Sequence, residues 1–422
     1  MSFPSYNPYK LPNTNNYLYD NQCNNLCADP NTIINPNILA NSINAIKFYD
    51  EEHGRCHDPT HNTTTDIFFQ SRNPNSEIYD YLYYGQTPLF DPCITLQFIP
   101  QNLVANFVGL ALNYDPNLLN SWGIVIINDT IWVANASTGF ITSYDIAGKP
   151  LATLVNVYGP EGNIGSPTGI VHNKCSKGFK VIGGALSGPS TLLIATLDGT
   201  INGYNPAVDP LNSFIMVNNS IEKSVYTGLA IFDDKLYVAD FYNGKIDVFD
   251  SCFNKLSKFP FIDEYSTDPI PIDYSSFNIS RIGQFLFVVY AKQNPLDNQF
   301  ELAGCGNGYI SIFDKHGRFI KRFASKGHLN APWGIVHIPT WFGFPVGSIF
   351  VANSGDGTIL VYDECGKFLG KLKNVDMCDI NIQGIKGLTE SPNFCKVVYW
   401  TANCNNLVNS FVGSFAVKSS LL

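Results

Sequence analysis

Four sets of side chains in this sequence are of types that do chemistry. The first is Cys23-x-x-x-Cys27 followed by His53-x-x-Cys56-His57-x-x-x-His61. Thiolates and imidazoles are the ligands of tetrahedral Zn²⁺, and a segment with little apolar core gains folding free energy by closing such a site. The same residues fit a loop holding a disulfide or free thiols beside solvated histidines, since their spacing matches structural zinc sites only loosely. The second set is scattered: Trp122, Thr168, Thr227, Asn278, Trp333 and Lys386. Brought together, two indoles with polar neighbours make a stacking platform for a sugar or another flat ligand. Their plainer use is to fill the centre of a large domain. Asn135, Asp240, Asn353 and Asn403 offer oxygen atoms either to a Ca²⁺-type ion or to the backbone beside them. His172 and His337 are of a type that serves as general base or sits in a core.

Whether any of these residues meet depends on the elements that carry them, and those are repetitive. A turn dipeptide recurs as Thr138-Gly139, Asp198-Gly199, Asn243-Gly244, Asn307-Gly308, Asp356-Gly357 and Asn405-Asn406. Such pairs tolerate the positive φ of a tight hairpin. Two residues past each turn stands a β-branched residue: Ile141, Ile201, Ile246, Ile310, Ile359, Val408. Five past it stands an aromatic: Tyr144, Tyr204, Phe249, Phe313, Tyr362, Phe411. Offsets of opposite parity put the two on opposite faces of one strand, so both faces are apolar. Upstream, a third strand opens at Gly123, Gly169, Gly228, Gly334 and Gly387, with Phe277-Asn278-Ile279 filling the double interval. A unit of roughly fifty residues with three visible strands and a fourth implied is one propeller blade. The expected fold is therefore all-β: a six-bladed β-propeller over residues 93–422 behind an irregular extension, residues 1–92. A strand near 94–104 is expected to close the ring beside 410–417, with Pro100 on an edge.

The segments Asn102-Leu-Val, Asp115-Pro-Asn-Leu-Leu-Asn-Ser-Trp-Gly123, Leu236-Tyr-Val-Ala-Asp-Phe-Tyr-Asn-Gly-Lys-Ile-Asp-Val-Phe-Asp250 and Leu329-Asn-Ala-Pro-Trp-Gly334 carry a family resemblance. Over roughly residues 102–414 the chain resembles NHL-type propellers, and more closely an uncharacterised bacterial propeller family found with sorting-tagged exported proteins. That resemblance implies the fold but no activity. The Asn, Ile, Tyr and Lys content resembles proteins of AT-rich genomes, including large amoeba-infecting DNA viruses, which makes a virion component one setting.

A net charge of −9 and a pI near 5.2 give no basic stripe for nucleic acid and disfavour anionic membrane surfaces. The longest uncharged run, around residues 331–355, is broken by Pro339, Gly343, Pro345 and Gly347, so no membrane insertion is expected. Residues 1–16 lack the apolar run of a signal peptide, which points to a cytoplasmic or virion-associated protein. Gly-x-Ser-x-Gly, His-Glu-x-x-His and P-loop motifs are absent, and Gly304-Cys-Gly-Asn-Gly308 has no helix after it. The favoured reading is a non-enzymatic scaffold that binds a protein or carbohydrate partner at the channel mouth, through Trp122, Thr168, Thr227, Asn278, Trp333 and Lys386. The alternative is a metal-dependent, lactonase-like propeller enzyme with Ca²⁺ in the channel.

Overall fold

A computed structural model describes residues 98–417 except 176, 266, 339–343, 346, 392–396 and 405. The Cys23, Cys27, His53, Cys56, His57 and His61 constellation and the expected extension lie outside the described residues. Within them six sheets of mainly antiparallel strands are arranged as propeller blades, a seventh, two-stranded sheet pairs Lys180–Gly183 with Leu186–Pro189, and no helix is long and apolar enough to cross a membrane.

Each blade runs outward from an innermost strand. Those strands are Ser121–Ile127, Pro167–His172, Tyr226–Phe232, Tyr274–Ile282, Pro332–His337 and Ile385–Glu390, for blades 1 to 6. Gly139, Gly199, Gly244 and Gly357 hold positive φ in the turns where the sequence places them. Blade 4 differs: Gly308 begins a strand rather than a turn, and positive φ belongs to Gly306. The reason is the insertion, whose strand Asp297–Glu301 folds back on a second strand lengthened to Phe285–Asn294.

Opposite faces of each blade pack on different neighbours, as the parity requires. Ile141 joins Ile170 and Ile194 of blade 2, whereas Tyr144 joins Val104 and Val412 of blade 6. The same split separates Ile246 from Phe249 and Ile359 from Tyr362. In blade 6 the repeat was read four residues early. Its hairpin continues to the pair Cys404↔Asn409, so Val412 and Phe415 take the two positions assigned to Val408 and Phe411. Val408 is half exposed beside the turn.

An early strand and the last one meet in blade 6. Phe98–Ala105 pairs antiparallel with Asn409–Val417, placing Pro100 opposite Phe415 with no strand on its other side at that register. Its missing N–H therefore breaks no ladder. At the centre, the recurrent glycines explain themselves by proximity. A Cβ on Gly123 would stand 2.6 Å from the Thr168 carbonyl oxygen of the next blade. One on Gly387 would stand 2.6 Å from the Trp122 carbonyl oxygen, which carries the circle from blade 6 back to blade 1. A side chain there would push the innermost strands apart.

Candidate functional site

The register of the innermost strands sets three levels along the central channel. Ile124, Ile170, Leu229, Ile279, Ile335 and Leu388 sit opposite Val133, Ile194, Val238, Val288, Val351 and Trp400, forming an aliphatic middle level. Two residues earlier in each strand stand Trp122, Thr168, Thr227, Phe277, Trp333 and Lys386. Two residues later stand Ile126, His172, Ile231, Arg281, His337 and Glu390.

The first level contains five of the six residues expected at a ligand mouth. Asn278 is the exception, for it occupies the glycine position of blade 4 and Phe277 takes its place in the level. There Asn278 donates Nδ2 to the Trp333 carbonyl oxygen at 2.9 Å, bonding across the gap that glycine closes elsewhere. All six expected residues are buried. Their side chains reach over the axis. Trp122 of blade 1 meets Trp333 of blade 5 edge to face at 5.9 Å and Phe277 of blade 4 at 6.0 Å. Trp333 Nε1 donates to the Thr227 carbonyl oxygen of blade 3 at 3.1 Å. Thr168 Oγ1 donates to the Tyr226 carbonyl oxygen at 2.6 Å, whereas Thr227 Oγ1 is buried with no hydrogen-bond partner among the described residues. The arrangement is the packing one, a plug of aromatic rings.

Lys386 completes the plug. Its Nζ lies 4.1 Å from the Trp122 ring centroid and donates to Glu301 Oε1 at 2.8 Å and Ser354 Oγ at 2.9 Å. Glu301 arrives from the blade 4 insertion. Burial works against its charge, but the Lys386 ammonium outweighs that and holds the carboxyl below the ordinary glutamate range.

Among the described residues the opposite end of the channel is recessed. A recess of about 400 Å³ is lined by Ile170, Leu229, Ala230, Ile231, Ile282, Ile335 and Val336, with Ser280, Arg281, His337 and Glu390 as its polar members. His172 and His337 stand at matching levels, as their equal spacing from Gly169 and Gly334 requires. Burial lowers the pKa of both imidazoles, with Lys174 adding to the effect at His172. Burial raises the Glu390 carboxyl to about 8. Sequence reading missed Arg281 and Glu390. Their signal was the same offset, three residues past Asn278 and Gly387, that singled out the two histidines.

Asn135, Asp240, Asn353 and Asn403 are engaged locally on four separate blades. Asn135 Nδ2 donates to Thr142 Oγ1 at 2.9 Å, and Asp240 Oδ1 accepts from the Val225 amide at 3.1 Å. Asn353 Oδ1 accepts from the Asn330 amide at 3.0 Å. Asn403 accepts from the Ser121 amide and donates to its carbonyl oxygen, both at 2.7 Å, joining blade 6 to blade 1. Among the described residues no three His, Cys, Asp or Glu side chains are grouped to hold a metal ion.

Fold and site together define a six-bladed β-propeller with one channel mouth plugged and the other recessed. No protein-family profile matches the chain. It is 31% identical to an uncharacterized protein of Acanthamoeba polyphaga mimivirus over 95% of this chain and 94% of the relative. It is 41% identical to two further uncharacterized proteins of the same virus, over 76% and 74% of this chain and 86% and 78% of theirs. The chain belongs to this family of mimivirus proteins. Among solved structures, a Bacteroides thetaiotaomicron protein of unknown function matches at 11% identity and a TM-score of 0.47, covering 71% of this chain and 69% of that one. The calcium-binding protein regucalcin from Agrobacterium tumefaciens matches at 13% and 0.44, covering 72% and 92%. At such identities and scores neither lends its properties to this chain.

Proposed function

We propose that the protein is an NHL-like binding scaffold without chemistry of its own, and that it receives part of a protein or carbohydrate partner in the open recess. The observation that carries this is the asymmetry of the channel. One end is filled by Trp122, Phe277, Trp333 and Lys386, while the other keeps an apolar hollow with a few polar groups at its edge. Hollows of that composition suit ligands that bury an apolar body and fix it with a polar contact. Isoleucine δ1-methyl NMR tests it with 1-hexanol and hexyl β-D-glucoside as probes. Both are expected to shift the Ile170, Ile231, Ile282 and Ile335 signals, and Ile335→Trp is expected to abolish the response. Shifts confined to methyls elsewhere would refute the reading.

A virion setting is supported by the mimivirus relatives. It predicts that the chain cofractionates with particles purified on a density gradient at constant ratio to the capsid protein. Loss of the chain on repeated banding would end that assignment.

A further inference from the structure

Resting on the recess just described, we propose that its occupant is an alkylammonium group, either a lysine side chain of a protein partner or a free amine. Its carbon stem lies against Ile170, Leu229 and Ile335, and its charged end meets Glu390.

Glu390 closes the innermost strand of blade 6 and lines the recess. Among the described residues its carboxyl has no hydrogen-bond or ion partner, and burial alone disfavours its charge. A cation brought to it therefore recovers the free energy that ionisation now costs. The other polar groups of that level are not suited to the task. Arg281, two blades away, is exposed, stacks its guanidinium 4.2 Å over the Phe232 ring and donates Nε to the Gly283 carbonyl oxygen at 3.0 Å. His172 and His337 are held toward the neutral form, and Ser280 carries no charge.

The molecule itself shows the pairing at its other end. There the Glu301 carboxylate is satisfied by the Lys386 ammonium, whose charge also rests on the Trp122 ring. Glu390 is a second carboxyl facing the channel, and among the described residues no lysine meets it. A four-carbon stem ending in an ammonium also fits the chemistry of the hollow, with methyl and methylene groups below and one acid at the edge. An anionic body suits a cationic visitor, since the net charge is −9.

The test is an isoleucine-methyl NMR titration of the full chain with n-hexylammonium chloride against 1-hexanol, on wild type and Glu390→Gln. Wild type is expected to prefer the ammonium at pH 9, and that preference is expected to weaken by about tenfold per pH unit below 8, because Glu390 must release a proton. Glu390→Gln is expected to keep hexanol binding and lose both the preference and its pH dependence. Equal binding of the two probes, unchanged in Glu390→Gln, would overturn the ammonium proposal while leaving the recess reading intact. No recess response to either probe would overturn both. Competition by N-acetyl-lysine methylamide identifies a protein side chain as the source, and hexylammonium bound without such competition identifies a free amine.

Discussion

The two ends of the channel are built from the same six strands, four residues apart, and they treat charge in opposite ways. At the plug, a lysine and a glutamate from different blades meet beside an indole at 2.8 Å, and the lysine holds the glutamate below the ordinary carboxyl range. At the recess, Glu390 has no counter-charge among the described residues and is pushed toward its neutral form by burial. A propeller ring must fill its axis, and among the described residues Trp122, Phe277 and Trp333 fill it at one end while a hollow remains at the other. Position in the blade determines whether a residue reaches the channel. The side chain placed there determines whether that level closes.

The contrast can be broken most severely at the plug. Trp333→Ala removes a buried indole, its contact with Trp122 and its hydrogen bond to Thr227, and is expected to destabilise the fold by about 3–5 kcal/mol in urea unfolding. A change under about 1 kcal/mol would mean that the indole does not brace the ring. Next in size, Lys386→Met leaves the half-buried Glu301 without its cation and should cost about 3 kcal/mol; adding Glu301→Gln should recover much of that. Failure of the double variant to recover would show that the pair is not what Lys386 supplies. Smallest is Glu390→Gln, whose effect depends on pH. Glu390 titrates near 8 when folded and in the ordinary glutamate range when unfolded, so between those values the unfolded chain holds fewer protons and stability falls as pH rises. The variant should match wild type at pH 4 and melt a few degrees higher at pH 8. A constant difference across that range would place the carboxyl in water.

Much of the fold was legible because each blade repeats a short physical requirement. Gly123 and Gly387 mark where innermost strands nearly touch, and Ile141 with Tyr144 marks a strand apolar on both faces. Irregular copies misled. Asn278 looked like a member of the Trp122 level because blade 4 lacks its glycine, and the longer blade 6 hairpin displaced Val412 and Phe415 from their expected offsets. The site was half legible. His172 and His337 drew notice as histidines, while Arg281 and Glu390 at the same offset did not, since charge at a strand end ordinarily means solvent. Which mouth would close was not readable at all. It depends on side chains crossing the axis from non-adjacent blades and on Glu301 arriving from the blade 4 insertion.

The strand Phe98–Ala105 leaves the ribosome first among these sheets, yet its partner Asn409–Val417 is made last, roughly three hundred residues later. During synthesis the early strand has nothing to pair with, and blades 1 to 5 form an open stack whose outer faces are bare. Docking of the two segments converts that stack into a closed object in a single long-range step. A chain interrupted before Asn409 would therefore betray itself to chaperones and proteases through exposed sheet surface, making the latch a built-in check that the sixth blade has been made.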